Sequence, residues 1–214
     1  MKPRTSLTLG ILTLATVALV TPRAAAQTSM VGQAHDFSND AWSGGRICEP
    51  CHTPHHGMND ETGSAIGWLW NHELTTATYT LYDGSSQIAQ NAFDKQSRLC
   101  MSCHDGTVAI DSFGGQTGNS FMGGGKLIGT DLRDDHPIGQ IAVYPEAGNT
   151  DFNAAVNHDL GPNGELHLRA MDIAGVQSFI VSCTTCHTPH YKGFAKQLRM
   201  SNTASALCLS CHIK

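Results

Sequence analysis

One five-residue unit, present four times, constrains this chain more than any other feature. The eight cysteines fall as Cys48/Cys51, Cys100/Cys103, Cys183/Cys186 and Cys208/Cys211, and each pair is followed at once by a histidine: His52, His104, His187 and His212. With twelve histidines in 214 residues, chance placement of one after all four pairs has odds on the order of one in 100,000, so C-x-x-C-H is the unit specified. Disulfides would ignore the fifth residue, a zinc ribbon would close the pairs on each other without it, and redox C-x-x-C pairs rarely come in fours. The unit attaches a c-type haem. Two thioethers hold its vinyl carbons, one turn of backbone sets the sulfurs apart, and the histidine lies under the iron as proximal ligand.

Four units predict four covalently bound c-type haems (iron). Composition agrees with so heavy a load. The chain is 40% hydrophobic and 14% charged, where ordinary domains run at roughly 45–50% and about 25%. Haem burial and iron ligation are expected to replace much of the missing side-chain core. The expected fold class is irregular: mostly coil with short helices and a few short strands, wrapped around a chain of four covalent haems, as in a multihaem cytochrome.

Residues 1–26 read as a signal peptide. Met1 to Arg4 is basic, Leu7 to Val20 is apolar, and Ala24-Ala25-Ala26 precedes Gln27 as a small-residue cleavage site. The apolar run falls short of the roughly 20 residues that a spanning helix needs, and no second one follows, so export without a membrane span is expected. Removing Lys2, Arg4 and Arg23 takes the net charge from −5 to −8. So acidic a chain is not expected to bind nucleic acid, which demands a basic face.

Residues 27–214 form one tetrahaem cytochrome c domain built on a duplication. Cys48-Glu49-Pro50-Cys51-His52-Thr53-Pro54-His55 recurs as Cys183-Thr184-Thr185-Cys186-His187-Thr188-Pro189-His190, and Ser97 to His104 recurs as Ser205 to His212. The haem pair 48–104 and the haem pair 183–212 flank a glycine-rich middle segment, 105–182. Helices are expected on the second and fourth units, strands at Thr76–Tyr82 and Ile141–Tyr144, and a short helix at Phe152–Val156.

The remaining histidines decide between a wire and an enzyme. His55 and His190 each follow a proximal histidine by three residues, behind a proline that turns the side chain away, so they are expected to reach another haem rather than their own. His72 sits beside Trp68 and Trp70, which suit a porphyrin face; His136 lies in an Asp-Asp-His-Pro loop; His35 lies 13 residues before Cys48. These five are the candidate distal ligands for four irons, with His56, His158 and His167 expected to face solvent. Gln27 to Ser43 shows little apolar periodicity, so His35 is expected to act as a free arm that reaches a neighbouring subunit.

Several segments together resemble a known family: the C-x-x-C-H-T-P-H unit at Cys48 to His55, the His35-Asp36-Phe37-Ser38 opening, Trp70 to Leu74, Leu99 to Ala109 and Asp135-His136-Pro137-Ile138. They resemble the doubled-C-x-x-C-H cytochromes, above all the OmcE-type extracellular tetrahaem cytochromes of metal-reducing bacteria. The resemblance implies a homopolymer of head-to-tail subunits with an unbroken chain of bis-histidine haems. Such a filament is extracellular or on the cell surface, and hands electrons between other redox proteins and external acceptors such as metal oxides. It implies His52, His104, His187 and His212 as proximal ligands, with the distal set drawn from His35, His55, His72, His136 and His190. A soluble periplasmic tetrahaem shuttle is the alternative. A multihaem reductase of a small nitrogen compound fits less well, because it needs an iron with an open position and here histidines outnumber irons. No enzyme activity and no catalytic residue are expected.

Overall fold

The structure, a computed structural model, describes residues 30–190 and 194–214. The signal-peptide reading therefore lies outside the described residues. Among those residues no helix is long and apolar enough to cross a membrane.

The chain is mostly coil with a few short helices and small strands. The helices are α1 (Ala89–Ala92), α2 (Lys95–His104), α3 (Cys183–Cys186) and α4 (Ala206–Leu209). The strands are β1 (Thr78–Thr80), β2 (Ser86–Ile88), β3 (Asp159–Leu160), β4 (Leu166–His167), β5 (Arg169–Ile173) and β6 (Val176–Ile180), paired only as the antiparallel hairpins β1-β2, β3-β4 and β5-β6.

Each half has its own small core. In the first, Tyr79, Leu81, Ala89, Ala92, Phe93, Met101 and Leu132 pack together. Helix α2 is the longest element because its ends are chemically fixed: the Asp94 carboxylate accepts from the Gln96 and Ser97 amides, a strong N-cap. Gly106, at φ +74, takes the chain away just beyond it. A β-carbon there would stand 2.6 Å from Leu127 Cδ1, and the left-handed backbone itself favours glycine. Beneath α2 the buried Asp105 accepts hydrogen bonds from the Tyr79 hydroxyl, from Thr75 Oγ1 (2.6 Å), and from Thr107 N (2.7 Å) and Oγ1 (2.9 Å). In the second half, Tyr144, Leu160, Leu166, Leu168 and Met200 form the core.

Three sequence expectations change. The Thr76–Tyr82 strand shrinks to β1, with Tyr79 and Leu81 on the buried face, because the turn after Leu81 ends it. Ile141–Tyr144 is not a strand: a 3-10 turn spans Gly139–Ile141, and only Val143 makes a bridge, to Ile180. Phe152–Val156 is not a helix. The C-terminal segment claims its polar groups instead, as Asn153 N donates to Cys211 O and Asn153 Nδ2 to Leu209 O. The β5-β6 hairpin was not expected; its half-exposed pattern gives only a weak amphipathic signal.

Candidate haem-binding sites

All four units adopt one α-turn, whatever element holds them. The histidine amide bonds the carbonyl of the first cysteine at 2.8 Å for His52, 3.0 Å for His187 and 2.9 Å for His212, and the second unit closes α2. A single turn puts both cysteines and the histidine on one side, as two thioethers and an axial ligand require. Three of the four histidines are oriented further. His52 Nδ1 donates to Trp68 O (2.7 Å), His104 Nδ1 to Lys126 O (2.8 Å) and His187 Nδ1 to Lys196 O (3.0 Å). A carbonyl can only accept, so Nδ1 carries the proton and Nε2 presents its lone pair to a metal.

The carbonyls that do this reveal a second duplication. Trp68 and Leu69 have φ of 52° and 50°, and Lys196 and Gln197 have φ of 58° and 55°. Two successive non-glycine residues in the left-handed region are costly, yet both pairs do the same work. The first residue's carbonyl takes the imidazole N–H, and the second residue's carbonyl takes the next amide, Thr53 N at 2.8 Å in one half and Thr188 N at 2.9 Å in the other. Bridges His52↔Trp70 and His187↔Leu198 complete the match. Sequence reasoning missed these clamps because Trp-Leu and Lys-Gln share no pattern and stand at different distances from their histidines.

The distal candidates divide sharply. Three unit histidines face a non-unit imidazole: His52 and His190 have ring centres 6.0 Å apart, His104 and His35 6.3 Å, His212 and His136 6.3 Å. Two imidazoles on opposite sides of one metal, with bonds of roughly 2.0–2.1 Å and about 1.1 Å more to each ring centre, stand about 6.3 Å apart. The residues present thus fit a six-coordinate haem iron at three places. Burial lowers the pKa of His35 and of His190, and the neighbouring His104 and His52 lower them further, which favours the neutral imidazole that ligates. Among the described residues His187 has no imidazole in ring contact, and the exposed His55 touches only the ring of His56.

One expectation is corrected here. His35 is not on a free arm. Asp36 caps a 3-10 turn at Phe37–Asn39, Phe37 packs on Trp42 with ring centres 4.8 Å apart, and His35 Nδ1 donates to Pro189 O at 3.3 Å. Aromatic packing and capping dock the segment where periodicity shows nothing. Among the described residues His72 has no unit histidine in ring contact; it is fully buried, with Nδ1 2.8 Å from Glu73 O and Nε2 3.1 Å from Ala109 O and 3.5 Å from Cys103 Sγ. Of the remaining three, His56 and His158 are exposed, His158 against Phe179, and His167 pairs with Asp159 at 2.7 Å.

The cysteines give the order of the units in space. Ser97 Oγ, on the helix that carries the second unit, accepts from Cys183 N of the third at 3.1 Å. Burial, then the nearby Cys51, pushes the Cys103 thiol up, and burial with Cys211 pushes Cys186 up to about 11. The first unit therefore neighbours the second, the second the third, and the third the fourth.

Residues 179–214 match the doubled CXXCH motif family, the signature of multihaem c-type cytochromes. No curated protein matches the chain. The CXXCH units mark the chain as one that binds c-type haem covalently and serves electron transfer.

Proposed function

We propose that this chain is an exported, bis-histidine tetrahaem cytochrome that polymerises head to tail and conducts electrons outside the cell, between other redox proteins and an external acceptor such as a metal oxide. Each haem, when bound, supplies a one-electron iron couple. The chain's own residues attach it through two cysteines, aim the proximal imidazole through its Nδ1–H, and cap the far side with a second imidazole: His190 opposite His52, His35 opposite His104, His136 opposite His212. His72 is the spare histidine.

One observation carries the polymer: His187 lacks a facing imidazole while His55 is exposed and idle. The duplication says how they meet. His190, from the second half, faces His52 of the first, so its duplicate His55 would face His187, the duplicate of His52. His55 would do so in the next subunit. An iron capped on both sides is a relay and leaves no place for a small substrate, so no reductase activity is assigned.

Particle images of the purified protein test the reading: filaments are expected, and a protein that stays monomeric at every concentration is instead a soluble shuttle. Denaturing mass measurement should find four haem masses per chain and no free thiol. Fewer than four would remove the tetrahaem assignment.

A further inference from the structure

The two halves of the chain meet at one joint, and both sides of that joint are duplicated. From the first half comes the start of α2: Ser97 Oγ accepts from Cys183 N at 3.1 Å and pairs with Ser182 Oγ at 2.9 Å, and Gln96 Oε1 accepts from Thr184 Oγ1 at 2.6 Å. From the second half comes the start of the third unit, Ser182, Cys183 and Thr184.

The duplicates of these residues stand unused on the first and fourth units. Ser97 is fully buried, whereas its counterpart Ser205 is exposed and its hydroxyl makes no hydrogen bond among the described residues. Cys100 and Cys183 are partly covered, whereas their counterparts Cys208 and Cys48 are the two exposed cysteines of the eight. Thr184 is buried in the joint and its counterpart Glu49 is exposed. Gln197 is half-buried, donating to Pro189 O at 3.4 Å, while its counterpart Leu69 is 49% exposed beside Trp68 at 53%. Leu209, one residue past Cys208, is 44% exposed where its counterpart Met101 is buried.

We propose that the surface around Ser205 and Cys208 docks onto the surface around Cys48, Glu49 and Leu69 of a second copy of this chain, repeating the inner joint between subunits. The occupant is a second copy because the chain carries each side of its own joint once more, on the first and fourth units, with exposed apolar side chains at both. Two different surfaces meeting in this way form a heterologous contact that repeats without closing. The proposal rests on the polymer reading and adds the surfaces that make it.

The test blocks each side separately in the full haem-loaded protein. Glu49→Arg fills one surface and Ser205→Arg the other; both positions are exposed, and the change at Glu49 gives up only a surface ion pair with Arg46 at 3.0 Å. Each variant alone is expected to fall from filament to single chain by light scattering, with four haems and an unchanged absorbance spectrum. Mixed, the two are expected to form dimers and nothing larger, since each supplies the surface the other lacks, and dimers also prove both variants folded. Wild-type filaments with either variant polymerising normally, or a mixture that stays monomeric, would overturn the proposed surfaces and leave the polymer standing. A wild type that never polymerises removes the polymer reading itself.

Discussion

Replacing His55 by Ala leaves the chain folded and loaded with four haems but unable to form filaments, and one haem in four turns high-spin. His55 is exposed and its ring touches only His56, so its removal costs the fold almost nothing. In the proposed polymer it would be the second imidazole at the His187 haem, so the variant is expected to take up one equivalent of carbon monoxide per chain where the wild-type filament takes up almost none. His35→Ala separates the two effects. Because His35 faces His104 in its own chain, this change should also open one haem, yet filaments should still form. Normal filaments with wholly six-coordinate iron in His55→Ala would sink the assignment, and the reverse ranking of the two variants would return the joint to His35.

The second large effect belongs to the fold. Asp105→Ala removes a buried carboxylate that accepts from Tyr79, Thr75 and Thr107, leaving their hydroxyls and one amide without an acceptor in the first core. Hydrogen bonds to a charged group contribute about 1.5–3 kcal/mol each and are not additive, so a loss of roughly 3–5 kcal/mol is expected. Tyr79→Phe, which deletes one donor and keeps the packing, should cost only about 1–2 kcal/mol. Guanidinium midpoints of the three proteins check this. An Asp105→Ala protein within about 1 kcal/mol of wild type would show that the network is dispensable.

How far these arguments were open to a reader of the sequence varies by residue. The four units are legible because covalent chemistry fixes their spacing, and α2 is legible because Asp94 announces its start. The pairing of His190 with His52 is not, since it depends on where two distant halves of the chain meet. The clamps at Trp68-Leu69 and Lys196-Gln197 are illegible for another reason: no residue type encodes left-handed backbone except glycine, and neither pair contains one. The surroundings of His72 are illegible too: Trp70 beside it packs with Ile66 and Leu99, and its own ring lies against Cys103, a placement that no local pattern announces.

The facing of His52 by His190 also has a consequence in time. The first core closes on residues no later than Ile141, so the first half can fold while the second is still being made. On the proposed pairing, His104 would find its facing imidazole early, because His35 precedes it in the chain. His52 must wait for a histidine 138 residues downstream. A chain truncated before residue 190 would lack the imidazole that faces His52 and would leave the first unit open to any small ligand in its surroundings.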